Sequence, residues 1–151
     1  MLRQAFTDRL REAMKARETR TISTVRLIIA GLKDRDIAAR GQGNAEGLSE
    51  AEILRMLHAM VKQRRESIVL FEQGSRADLA EREREEIAVV ESFLPRQLDE
   101  VETEAAARAA IAETGAASVK DVGKVMAMLR ERYPGTIDLG RAGTIARRLL
   151  G

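Results

Sequence analysis

The chain has 151 residues, of which 33% are charged, 44% hydrophobic and only 3% aromatic, with no cysteine and a formal net charge of +2. This length allows one domain or two small ones, and the lack of cysteine excludes disulfides, zinc-thiolate centres and a thiol nucleophile. The near-neutral balance removes overall basicity as a reason to expect nucleic acid. The longest apolar run, residues 27–30, is far too short to span a bilayer, so no membrane partner is expected. The first residues carry Arg3, Asp8, Arg9, Arg11 and Glu12 where a signal peptide needs an apolar core. Asp8 and Glu12 also speak against an organelle transit peptide, and a cytoplasmic protein is expected.

Charge is distributed unevenly. Residues 1–40 hold ten basic and five acidic side chains, net +5, and residues 118–151 hold seven and three, net +4. Between them, residues 41–73, 74–94 and 95–117 are net −1, −3 and −3. Basic ends around an acidic middle hint at a polyanionic partner.

Leu2, Phe6, Leu10 and Met14 recur every four residues with Ala13 beside them, the apolar stripe of a first helix. A second helix is predicted over about residues 21–39, with Val25, Ile28, Ile29 and Leu32 as its core face and Thr21, Ser23 and Thr24 near its start. Residues 41–47 form a turn-rich loop. Ser49 and Glu52 form a capping box for a third helix that runs to about Gln73 and is ended by Gly74. Its apolar face holds Ile53, Leu57, Met60, Val61, Ile68 and Phe71. Arg76 and Asp78 open a fourth helix carrying Leu79, Ile87, Val90, Phe93 and Leu94, with an outer face of Glu81, Arg82, Glu83, Arg84, Glu85 and Glu86. No segment shows the period-two alternation of a strand, so the fold class is all-α, with a bundle of four helices in the first part.

Pro95 lacks a backbone N–H and clashes inside a helix, at about 3 kcal/mol, and it pushes Leu94 out of the helical region. The fourth helix should therefore stop in the stretch Phe93, Leu94, Pro95. Composition changes there, which points to a hinge between a long-helix module, residues 1–94, and a small three-helix domain, residues 95–151. An ordinary helix break within one bundle is the alternative. Beyond it, a helix is expected from about Asp99, capped with Glu102, to Thr114 and Gly115. A second begins at Ser118, carries Val122, Val125, Met126 and Leu129, and ends near Tyr133. A third begins at Asp138 and carries Leu139, Ala142, Ile145, Ala146 and Leu149.

Several strings resemble the YqeY-like proteins: Val61-Lys62-Gln63-Arg64-Arg65-Glu66-Ser67-Ile68, then Leu79-Ala80-Glu81 with Glu83, Glu86 and Ile87, then Phe93-Leu94-Pro95-Arg96-Gln97-Leu98. Later, Gly115-Ala116, Ser118, Lys120-Asp121 and Gly123-Lys124-Val125-Met126 are similar to the same family and to the tail domain of the B subunit of the tRNA-dependent amidotransferase. One departure is Phe93, where an aromatic of tyrosine type is expected; the ring is kept and the hydroxyl lost. The resemblance implies an all-helical, two-part protein with a tRNA-binding C-terminal part. It does not imply amidotransferase chemistry, for which 151 residues leave no room.

His58 is the only histidine. With no second His, no Cys and no H-E-x-x-H pattern around it, it reads as structural or surface-exposed. Glu83 with Glu86, and Glu81 with Glu85, share helix faces, but interleaved Arg82 and Arg84 make this a salt-bridging surface, and no metal or other cofactor is expected. Gly41-Gln42-Gly43 has no Lys-Ser/Thr pair after it and is not a phosphate loop. Lys62, Arg64 and Arg65 fit either a solvated face with Glu66 as partner or phosphate contact.

Lys120 and Lys124 are four apart and share a face near a helix N-terminus, where the dipole favours an anion. Gly123 between them lets another backbone approach or, alternatively, serves tight helix packing. Arg141, Arg147 and Arg148 extend the basic set. Lysine and arginine without aromatic platforms suit the backbone and shape of a structured RNA better than single-strand stacking. The expected function is non-catalytic binding of tRNA or a tRNA-processing complex. A protein–protein adaptor using the acidic fourth helix, and an accessory to glutamine-dependent amide transfer, are the alternatives.

Overall fold

The structure, a computed structural model, describes residues 1–151. It is all-helical, with seven α-helices and one 3-10 turn. These are α1 (Leu2–Ala16), α2 (Thr19–Gly41), α3 (Glu50–Gln73), α4 (Ala77–Glu91), α5 (Glu100–Thr114), α6 (Val122–Arg132) and α7 (Leu139–Leu150), with the 3-10 turn at Val119–Asp121. Contacts divide the chain into two compact units, Met1–Leu94 and Pro95–Gly151.

In the first unit, α1 packs on α2, α3 on α4, and α2 on both α3 and α4. Leucine, isoleucine and valine at helical spacing give each helix one apolar face, and these faces meet in a core of Phe6, Val25, Ile28, Leu32, Ile53, Met56, Leu57, Val61 and Val90. Helix ends are set by local chemistry. Ser49 and Asp99 both form the reciprocal capping boxes expected from sequence, with Glu52 and Glu102. Arg17 ends α1 and Gly115 ends α5 in the left-handed conformation, which costs glycine no steric penalty.

Helix α4 stops at Glu91, two residues earlier than its apolar spacing implies. The N–H groups of Phe93 and Leu94 then donate to the carbonyls of Val90 and Glu91, tightening the last turn before Pro95. This geometry drops the Phe93 ring onto Phe6, edge to face, with centroids 4.8 Å apart, a contact worth about 0.5–1.5 kcal/mol beyond burial.

One ion pair ties the first unit together away from its apolar core. Both guanidinium nitrogens of Arg3 donate to Asp36 at 2.6 and 2.9 Å, and Arg3 also reaches the Leu48 carbonyl at 2.9 Å. The Leu48 N–H donates to the same carboxylate at 2.9 Å. Asp36 is 7% exposed. Its neighbour Gly47 has φ near 80°, and a Cβ there would meet the Asp36 carboxylate at 2.3 Å, so this position has room only for glycine. Hydrogen bonds from Arg3 hold the Asp36 carboxyl at about 2, below the usual 3.8, against the opposing effect of burial.

In the second unit, α5, α6 and α7 each pack on the other two. Their shared core is small-residued, with Ala106, Ala110, Ala142 and Ala146 around Val125, Leu129 and Ile137. The Leu98 N–H donates to the Thr136 carbonyl at 2.8 Å, and the Gln97 amide donates to the Gly135 carbonyl at 2.7 Å. These bonds fasten the entry to α5 against the turn between α6 and α7.

Two outcomes follow. Phe6→Ala removes a ring that is 1% exposed and should cost about 3–5 kcal/mol in urea unfolding. Because the Asp36 carboxyl is depressed in the folded state, the unfolded chain takes up the proton first; the stabilisation is complete above about pH 4 and is lost as pH falls towards about 2. Urea midpoints measured from about pH 5 downwards should therefore fall less steeply in Asp36→Asn than in the wild type.

Candidate nucleic-acid interface

The cations singled out from sequence divide into those held by carboxylates and those left open. In the first unit, Arg64 is the most enclosed, its side chain 13% exposed. Its Nε lies 3.0 Å from Glu86 and 3.9 Å from Glu83, and Glu86 also faces Arg20 at 3.9 Å. Burial, then the charge of Glu86, raise the Glu83 carboxyl, while Arg64 pulls it down. This is a charge cluster joining α3 to α4, with α2 at its edge, and it leaves Arg64 little surface to offer a ligand. Arg65 pairs with Glu91 at 3.2 Å. Lys62 is exposed and has no ion pair. His58 is half-buried on α3. No group of three His, Asp or Glu side chains is arranged to hold a metal.

In the second unit, two of the three arginines expected to widen the basic surface are engaged by α5. Arg141 pairs with Glu100, and Arg148 pairs with Glu104 at 2.9 Å, a carboxylate that also takes Arg108 at 3.0 Å. These residues are 41 and 44 positions apart, so no local sequence pattern reveals the pairing. Arg147 has no carboxylate partner; its guanidinium curls back over Gly143, 3.5 Å from where a Cβ would stand. Lys120 and Lys124 are exposed and unpaired.

The helix start beside these lysines differs from the sequence expectation. Ser118 begins a 3-10 turn, and α6 itself starts only at Val122. The N–H groups of Asp121 and Val122 already donate to Ser118 and Val119. Asp121 accepts from the Ala117 N–H at 3.0 Å, and this bond, with smaller contributions from the Ser118 N–H and Lys124, lowers its pKa. The turn thus satisfies much of its own backbone, and an anion here would meet ammonium groups beside an aspartate.

Gly123 lies on the open face of α6, and a Cβ built there meets nothing within 4 Å. Tight helix packing is therefore not its role. Ala127 and Arg130, four and seven positions on, are exposed too and continue this face. Arg130 has no ion pair; sequence reading passed over it, although its spacing of seven from Gly123 was the available signal. The resulting surface has a small-residue strip, Gly123 and Ala127, with Lys120, Lys124 and Arg130 along it and Glu131 adjoining.

The model of the Yqey-like protein family matches residues 3–150. Among curated proteins, the chain is 32% identical over 85 residues to "Altered inheritance of mitochondria protein 41, mitochondrial" of Lachancea thermotolerans, a match covering 56% of this chain and 43% of that protein. The protein of the same name in Clavispora lusitaniae is 35% identical over 85 residues, covering 56% and 46%. An uncharacterized protein of Schizosaccharomyces pombe is 25% identical over 100 residues, covering 66% of this chain and 77% of its own length. The chain thus spans less than half the length of the two mitochondrial relatives. Their names overturn the expectation of a cytoplasmic protein. Asp8 and Glu12, on which that expectation leaned, lie within α1. Acidic residues of a packed helix carry no information about a targeting leader.

Because Gly123 has free space and an ordinary helical backbone, Gly123→Ala should raise stability by about 0.5–1 kcal/mol. A urea midpoint below that of the wild type would restore the packing role.

Proposed function

We propose that this protein, which belongs to the YqeY-like family, is a non-catalytic RNA-binding protein that takes the backbone of tRNA on the exposed face of α6. The observation that supports this reading is the split among the cations of the second unit. Arg132, Arg141 and Arg148 are each held by a glutamate of α5, whereas Lys120, Lys124 and Arg130 on one face have no ion pair. Cations without carboxylate partners can displace the counterions condensed on phosphates without first breaking an internal pair. Gly123 and Ala127 leave the face low between them, so a sugar–phosphate chain can approach closely. Nothing on this face offers an aromatic platform, which favours recognition of shape and backbone over base stacking.

The resemblance of residues 115–126 to the tail domain of the amidotransferase B subunit supports tRNA as the RNA class, and an accessory place beside glutamine-dependent amide transfer as its context. The adaptor reading loses its main surface. On α4, Glu83 and Glu86 face Arg64, Glu85 pairs with Arg20 at 3.1 Å, and Glu81 pairs with Arg84 at 3.3 Å, so these acids are already engaged within the unit.

Binding of the full-length protein to unfractionated tRNA, followed by fluorescence anisotropy across a potassium chloride series, tests the proposal. The three contacts of this face, Lys120, Lys124 and Arg130, contribute about −2 to −3 to the log–log slope, taking roughly 0.7–0.9 for each. Lys120→Glu with Lys124→Glu should weaken binding at least tenfold while the urea midpoint stays within about 0.5 kcal/mol of the wild type, as expected for exposed substitutions. A salt-independent titration, or no binding at low salt, rejects the reading.

A further inference from the structure

A second set of open cations lies in the first unit, and the Asp36 ion pair creates it. Lys33 and Arg40 stand three residues before and four residues after Asp36 on α2, the spacings at which a carboxylate ordinarily neutralises a helix neighbour. Asp36 is not available to them. Arg3 of α1 takes both of its oxygens, and the Leu48 N–H takes one of them again. Lys33 and Arg40 are left exposed, with no ion pair of their own. Arg40 acts on Asp36 only through space. Arg26, seven positions before Lys33, is likewise exposed and unpaired. The three cations form one line along α2, with about 10 Å between successive Cα atoms.

Lys33 and Arg40 flank a groove between α1 and α2 of about 320 Å³, floored by Phe6, Ile29 and Leu32. The groove holds three cations, Arg3, Lys33 and Arg40, against one carboxylate that is already saturated. Asp34 and Arg35 lie on neighbouring positions of α2, turned about 100° and 200° from Lys33, outside this line. In the same unit Arg9, Arg20, Arg64, Arg65 and Arg84 each reach an acid, whereas Lys15, Arg17, Arg35, Arg55, Lys62 and Arg82 have no ion pair. What sets Lys33 and Arg40 apart from these is that the acid at pairing distance along their own helix is taken up by Arg3 and Leu48.

We propose that Arg26, Lys33 and Arg40 form a second RNA-backbone contact, with a phosphate seated over the groove between Lys33 and Arg40. The proposal rests on the tRNA-binding reading above and adds to it a contact on the first unit. The groove supplies charge and an apolar floor, and the Thr7 hydroxyl beside it donates to the Arg3 carbonyl. Binding there is therefore sequence-independent.

The test uses the full-length protein, unfractionated tRNA and the same salt series. Lys33→Gln with Arg40→Gln should weaken binding about tenfold and make the log–log slope shallower by about 1.5, the loss of two contacts. The substitutions remove charge without adding any beside Asp36, and the urea midpoint reports whether the fold is kept. Should the double variant unfold, Arg26→Gln, away from the ion pair, should flatten the slope by about 0.8. If the folded α2 variants bind like the wild type while Lys120→Gln with Lys124→Gln weakens binding, the α2 contact is overturned and the α6 site stands. Absence of wild-type binding overturns both. Vesicles of phosphatidylserine and phosphatidylcholine provide the remaining arm: if the α2 variants lose vesicle binding and keep tRNA binding, the line is a membrane contact and the RNA proposal fails.

Discussion

The buried carboxylate of Asp36 is the constraint on which most of the first unit depends. A carboxylate removed from water must be matched by donors, or it costs several kcal/mol. Here the donors come from two separate places: α1 supplies the Arg3 guanidinium and the segment leading into α3 supplies the Leu48 N–H, while Arg3 in turn bonds the Leu48 carbonyl. Satisfying one side chain thus fixes α1, α2 and the start of α3 relative to one another. It also forces Gly47 to be glycine, because the carboxylate fills the space a Cβ would need. The same interaction sets the electrostatics of the surface above it, since the acid that α2 provides for its own cations is used inside.

Pairing separates structural cations from available ones throughout the chain. Arg64 shows the structural kind. It lies in one of the strings that resemble the YqeY-like proteins, and Glu83 and Glu86 lie in another, 19 and 22 positions on. In the folded chain they meet as a single cluster between α3 and α4. A guanidinium with two carboxylates suits a helix interface that is mostly enclosed, because its planar fork keeps several acceptors satisfied at once. Two of the strings that carry the resemblance thus meet at the pairing of α3 with α4.

The helices were largely legible from local chemistry. Apolar spacing located six of the seven, and the capping boxes at Ser49 and Asp99 placed two starts, the second of them marking α5. What escaped were the ends governed by more than one tendency. The apolar stripe of α4 runs on to Phe93, but Pro95 and the pull of Phe93 towards Phe6 end the helix at Glu91. Ser118 starts a helical segment, but the first turn is 3-10, because Asp121 turns back to the N–H groups before it. Charge pairing was the least legible. The net charge of residues 118–151 counted Arg141 and Arg148 as open, and only the folded chain brings Glu100 and Glu104 of α5 beside them. The groove on α2 was hidden for the same reason, since Arg3 and Asp36 are 33 positions apart.

The alanine-rich interior of the second unit has a thermodynamic consequence. Five of its nine buried hydrophobic residues are alanines, where the first unit uses phenylalanine, leucine, isoleucine and methionine. An alanine interior exposes little apolar surface when it opens, and the heat-capacity change of unfolding scales with that surface. A small heat-capacity change makes the stability curve of α5–α7 bend less than that of the first unit. Cooling therefore erodes the hydrophobic stabilisation of the three-helix unit less than that of the bulkier core.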